Sequence, residues 1–181
     1  MPRYLAFLRA INVGGRTVRM DVLRKHFDSL GFSNVETLIA SGNVIFETRA
    51  RNAEALEKRI EIHLQRSLGF PVGTFIRSTA ELGAIAKHEP FPSEYHPEAG
   101  HALYITFLRA APSIEAQRKL LTFRNAIDDF HVHGRELYWL ARQKMMQSIV
   151  TGAQIEKTMG MSGTMRNVTT VRKLATAYAG S

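Results

Sequence analysis

At 181 residues the chain suffices for one or two domains, and with 45% hydrophobic residues it can build a proper core. It holds no cysteine, which excludes a disulfide framework and thiolate metal or redox chemistry. The net charge of +8, with a pI near 10.1, points toward nucleic acid or small phosphorylated ligands as partners. Basic residues gather at both ends. Arg142, Lys144, Lys157, Arg166, Arg172 and Lys173 face Glu156 alone; Arg3, Arg9, Arg16, Arg19, Arg24 and Lys25 face Asp21 and Asp28. Only the short apolar run Tyr4 to Leu8 precedes Arg9. It is too short for a signal peptide or a membrane span, so a cytoplasmic protein with no membrane partner is expected.

A heptapeptide occurs twice. Tyr4-Leu5-Ala6-Phe7-Leu8-Arg9-Ala10 returns as Tyr104-Ile105-Thr106-Phe107-Leu108-Arg109-Ala110, with five of the seven positions identical. Both copies are short apolar runs and read as strands buried on both faces. An internal repeat sets the unit of a fold. After the first copy, Asn12-Val13-Gly14-Gly15 is a loop, and Met20, Leu23, Phe27 and Leu30 recur at helical spacing up to Gly31. Val35 to Ile39 and Val44 to Phe46 flank the turn Ser41-Gly42-Asn43, a hairpin signal. Asn52 caps a helix lined by Leu56, Ile60, Leu64 and Leu68, which Gly69 and Pro71 end. Val72 to Ile76 is a strand, and Ser78-Thr79-Ala80-Glu81 resembles a capping box.

This order is β-α-β-β-α-β, the split βαβ or ferredoxin-like unit. Residues 1–87 form the first half, and 88–101, with Pro90, Pro92, Pro97 and Gly100, read as a linker. Residues 102–181 follow the same plan. Pro112-Ser113 opens a helix, His133-Gly134 marks a second hairpin, and 145–159 are mostly helical in pattern. Val171, Leu174, Ala175 and Tyr178 mark a final helix. The expected class is therefore α+β, with two ferredoxin-like halves related by internal duplication. The second half lacks its last strand and ends in an extra helix.

Two segments carry candidate chemistry. In the Arg9–Gly15 loop, Gly14 and Gly15 can bring backbone N–H groups to an anion beside Arg9 and Arg16; the bland alternative is a turn that uses glycine for positive φ and Asn12 for a local backbone bond. No Gly-Lys-Ser/Thr or dinucleotide fingerprint follows it. Ahead of the last helix, Asn167 is an N-cap candidate, Thr169 and Thr170 sit near first-turn amides, and Arg166 adds charge; simple capping explains the same residues. Ser41-Gly42-Asn43 is explained by its hairpin, since no nucleophile elbow surrounds Ser41. His131 and His133 share a strand face, but the sequence places no third ligand, and His88, His96 and His101 read as solvated linker residues. No metal site and no cofactor are expected.

Taken together, Arg9-Ala-Ile-Asn12-Val-Gly14-Gly15, Leu30-Gly31-Phe32, Ser41-Gly42-Asn43-Val-Ile-Phe46, Pro90-Phe91-Pro92, Thr164-Met-Arg166-Asn167 and Thr170-Val-x-Lys173-Leu resemble the bacterial "domain of unknown function 1697" family over essentially the whole chain. The resemblance implies a small cytoplasmic protein of two ferredoxin-like halves and no particular activity. It draws attention to Arg9, Asn12, Gly14, Gly15, Ser41, Asn43, Arg166 and Asn167. Val168 stands where the family often has tryptophan, and Ala10 where glycine is usual. The expected function is binding of an anionic or phosphorylated small ligand or nucleotide at a site drawn from these residues and Thr170. The alternatives are nucleic-acid binding through a basic surface and an enzyme acting on a phosphorylated substrate, for which the sequence places neither nucleophile nor base. A homodimer would also cover both faces of the repeated strands.

Overall fold

The computed structural model describes residues 1–38 and 42–180. The chain forms two compact units, Met1–Gly83 with Tyr178–Ser181, and Ala84–Ala177. The architecture is α+β, with one four-stranded antiparallel sheet in each unit. Among the described residues, no helix is long and apolar enough to cross a membrane.

The first part of the chain runs β1 (Arg3–Leu8), α1 (Met20–Ser29), β2 (Ser33–Leu38), β3 (Asn43–Glu47), α2 (Ala53–Leu68), β4 (Thr74–Ser78) and α3 (Thr79–Lys87). Its sheet order is β2-β3-β1-β4. Local chemistry sets the boundaries. Asn52 Oδ1 accepts the Ala55 N–H at 3.0 Å, and Gly69 ends α2 at φ +82. Ser78 and Glu81 form a reciprocal capping box: Ser78 N donates to Glu81 Oε2 at 2.7 Å, and Glu81 N donates to Ser78 Oγ at 3.1 Å. Tyr4, Ala6 and Leu8 of β1 pack in one cluster with Leu23 and Phe27 of α1 and Leu56, Ile60 and Leu64 of α2. Phe32 stacks on Phe46 with ring centroids 4.5 Å apart. Leu5 and Phe7, on the opposite face of β1, are equally buried.

The second part of the chain runs β5 (Ala102–Leu108), α4 (Ile114–Leu121), β6 (Asp128–His133), β7 (Glu136–Ala141), α5 (Gly152–Met159), β8 (Gly163–Asn167) and α6 (Val168–Tyr178), in sheet order β6-β7-β5-β8. Two expectations need correction. The second half does not lack its last strand, because β8 pairs with β5 from Tyr104↔Asn167 to Leu108↔Gly163. The final helix is not an addition either, since a helix follows the fourth strand in both parts of the chain. Gly163 hid the strand, yet the pairing requires it: a Cβ there would come within 2.6 Å of Thr106 Cγ2 and 2.8 Å of the Phe107 carbonyl oxygen. Residues 145–159 are helical only from Gly152, where Thr151 and Gln154 form a capping box; Met145–Gln147 is a single 3₁₀ turn. The Pro-rich segment 88–101 belongs to the second unit, with Phe91 buried.

β4 is an edge strand, and an open edge needs its N–H groups satisfied. Two carboxylates one helical turn apart on α2 do this. Glu61 Oε1 accepts from Thr74 N and Glu57 Oε1 from Ile76 N, each at 2.9 Å. Glu57 is only 1% exposed. Glu57→Ala leaves a buried amide without this acceptor. It should lower stability by about 1–3 kcal/mol, read as a shifted urea midpoint at unchanged slope.

Candidate functional site

The Arg9–Gly15 loop is held by its own backbone. Asn12 N donates to Arg16 O at 2.8 Å, Arg16 N returns a bond to Val13 O at 3.2 Å, and Asn12 Oδ1 accepts from Val18 N at 2.9 Å. Gly14 and Gly15 lie at φ +60 and +79 between Val13 and Arg16, the left-handed pair that a tight turn of the primed type demands. Both glycines are exposed. The Arg16 guanidinium lies over the Phe70 ring, 5.3 Å from its centroid. Arg9 is half-buried, with its amide donating to Gly73 O at 2.8 Å. The loop thus has a complete structural explanation.

In the hairpin region, Ser41 lies outside the described residues. Gly42, at φ +78, accepts the Leu8 N–H at 2.8 Å. Asn43 is fully buried, and its Nδ2 donates to Leu38 O at 3.1 Å.

Arg9, Asn12, Gly14, Gly15 and Asn43 belong to the first unit, and Arg166, Asn167 and Thr170 to the second. Arg166 is buried in β8, where its Nη1 donates to Thr164 Oγ1 at 2.8 Å and to Met165 O at 3.0 Å. Burial lowers its guanidinium to about 10, so it stays charged at neutral pH. Asn167 Oδ1 accepts from Thr169 N at 2.9 Å, capping α6. Arg166 and Asn167 are therefore both engaged by groups of the chain itself.

Beyond this junction, exposed Arg172 borders two concavities of the second unit. One, of about 210 Å³, is lined by Glu89, Phe91, Tyr95, Leu103 and Arg172 with prolines 90, 92 and 97. The other is a shallow cleft of about 460 Å³ along α6, lined by Thr169, Arg172, Lys173, Thr176 and Ala177. Arg172 was missed by sequence reasoning, although it is the unspecified position of Thr170-Val-x-Lys173-Leu. Pro90-Phe91-Pro92, a linker stretch and a motif of the family resemblance in the sequence, lines the first of these cavities with it.

A second cluster lies nearby. His131 and His133 of β6 are joined by His88, which no pattern in the sequence places with them. One ring nitrogen from each lies within 4.8 Å of the others. The His88 and His133 rings stack at 4.1 Å and 14°, and His131 lies 5.5 Å from His88. Phe91 meets the His131 ring edge-on at 6.4 Å, so one side chain touches both the cavity and this cluster. Burial, then the neighbouring imidazoles, pushes His88 below the usual histidine range. Burial and His133 push His131 the same way, against the opposing charge of Asp129. His88 is half-buried, which corrects its reading as a solvated linker residue, whereas His96 is exposed.

The chain belongs to the family described as "Protein of unknown function (DUF1697)", which it matches over residues 1–138. Among solved structures it is similar to "conserved bacterial protein SP0830 from Streptococcus pneumoniae", with a TM-score of 0.73 and 19% identity, covering 98% of this chain and 98% of that one. At that identity the likeness concerns the fold alone. No curated protein matches the chain. The alanine that ends the first heptapeptide carries local strain. Ala10 adopts φ +61, where a Cβ is strained. Ala10→Gly should raise stability by up to about 1 kcal/mol, measured by chemical denaturation, because relief of strain outweighs the added chain entropy.

Proposed function

We propose that this protein binds a compact phosphorylated metabolite at the Arg172 face of its second unit. The observation that carries this reading is that Arg172 borders both the cavity of about 210 Å³ and the cleft where Lys173 stands beside it. A guanidinium presents paired donors that match two phosphate oxygens, and Lys173 adds a second positive charge. Glu89 can accept from a sugar hydroxyl, and Tyr95 can donate to one or accept from it. Phe91 and the prolines offer an apolar wall. The cavity is smaller than the roughly 300–1,000 Å³ of sites for drug-sized ligands, which favours a sugar phosphate or one end of a mononucleotide. In this reading the Arg9–Gly15 loop, Asn43 and the Arg166–Asn167 turn serve as scaffold.

We also read the two parts of the chain as copies of one ferredoxin-like module. Three features support this. The element order repeats, the sheet orders correspond strand for strand, and the repeated heptapeptides fall on β1 and β5, each second from an edge.

A thermal-shift series against sugar phosphates, mononucleotides and inorganic phosphate tests the binding reading. A ligand at a hundred times its dissociation constant should stabilise the protein by about 2.7 kcal/mol, and Arg172→Ala should abolish that gain without changing the unliganded melting temperature. Equal stabilisation of both proteins, or none of either, would sink it. The net charge of +8 supports a second reading, nucleic-acid binding through a basic surface. There, affinity for a short duplex should fall steeply between low and physiological salt, and a gel shift showing no complex at low salt removes it.

A further inference from the structure

We infer that His88, His131 and His133 form a three-imidazole site for a divalent transition-metal ion such as Zn²⁺, with one coordination position left for water or a ligand. Three observations converge. The three ring nitrogens lie within 4.8 Å of one another, although His88 is remote in sequence from the other two. His131 and His133 alternate along β6 and so project from the same face of the sheet. Among the described residues, His88 Nε2 is a buried side-chain nitrogen with no hydrogen-bond partner. A buried ring nitrogen left unpaired costs free energy, and native structures rarely leave such an atom without a purpose.

The alternative is a simple stack of aromatic rings. Stacking accounts for the 4.1 Å approach of His88 to His133, but it gives the orphan nitrogen nothing to do. A bound cation would give it a partner, together with one lone pair from each of the other two rings. Neutral imidazole is a ligand of choice for Zn²⁺, Cu²⁺ and Ni²⁺. With metal–nitrogen distances near 2.0–2.1 Å, tetrahedral ligands stand about 3.3 Å apart, so nitrogens within 4.8 Å of one another must close by up to about 1.5 Å. The site allows this. His133 is exposed and ends β6, directly before Gly134 at the hairpin tip, where rotation of the ring disturbs no core packing. Three protein ligands leave a fourth position open, the arrangement of zinc sites that bind water or substrate rather than sites that only staple a fold. Phe91, shared with the Arg172 cavity, screens one side of the cluster from water.

The test is calorimetric titration of chelator-treated full-length protein with ZnCl₂. One ion per chain is expected. His88→Ala and His131→Ala should each weaken binding by at least the roughly tenfold that loss of even an outer supporting group costs. His101→Ala, in the separate ring pair with His96, should leave it unchanged. Because His88→Ala could disturb folding, the wild-type protein supplies a second readout. In NMR spectra, Zn²⁺ should shift the ring resonances of His88, His131 and His133 and leave those of His96 and His101 in place. No saturable binding, full affinity in a folded His88→Ala protein, or shifts confined to His96 and His101 would each overturn the inference.

Discussion

The fold turns on a buried arginine followed by a helix cap, used in both units. Arg77 lies in β4 opposite Leu5, and Arg166 lies in β8 opposite Ile105. A guanidinium withdrawn from water is tolerable only when its donors are taken up. Arg77 Nη1 donates to the Ile76 carbonyl at 2.9 Å, and Arg166 Nη1 donates to the Met165 carbonyl at 3.0 Å. In each case the next residue is polar and caps the following helix, Ser78 ahead of α3 and Asn167 ahead of α6. One dipeptide thereby fixes the end of the strand and the start of the helix.

The two units treat their outer strands differently. In the first, Glu57 and Glu61 of α2 serve two amides of β4. In the second, Glu156 of α5 stands where Glu61 does, and its Oε1 accepts from Gly163 N at a long 3.4 Å. One turn earlier, where α2 has Glu57, α5 has Gly152. A Cβ at Gly152 would meet nothing within 4 Å, and a cavity of about 80 Å³ opens between Gly152, Glu156, Trp139 and Met165. The deeper anchor of this unit lies elsewhere. Buried Asp128 accepts from Trp139 Nε1 at 2.8 Å, Ser148 Oγ at 2.7 Å and Asn125 Nδ2 at 3.0 Å. Three donors offset the desolvation of one carboxylate and tie β6, β7 and the segment before α5 together.

What the sequence disclosed follows the range of the forces involved. Caps and turns depend on neighbours three or four residues apart, so Asn52, Ser78 with Glu81, Ser113 and Gly69 were legible as written. β8 was not, because Gly-Thr-Met-Arg-Asn lacks a run of apolar residues. Its pairing is dictated by β5, far away in sequence, and its glycine by contact with Thr106 and Phe107. The motif residues Asn12, Arg166 and Asn167 stand out by type, but type alone does not tell a ligand contact from a local bond. A polar side chain near a bend serves either purpose, and only the folded chain shows the local bond, such as the 2.9 Å from Val18 N to Asn12 Oδ1.

The features best suited to function were least visible because they depend on a segment that resembles a linker. After α3 the chain passes His88, then Glu89-Pro90-Phe91-Pro92, and Phe91 is buried against the second unit. Proline fixes φ and removes a backbone donor, so such a stretch can keep one shape without pairing to a sheet. Fixed in this way, the segment holds an imidazole beside two histidines of β6 at one end and lines the cavity that Arg172 borders at the other. Neither arrangement leaves a periodic pattern, because each is completed by a partner more than forty residues away, His131 in one case and Arg172 in the other. A short rigid crossing segment can therefore carry chemistry that hydrophobic periodicity, which reports burial of regular elements, has no means of registering.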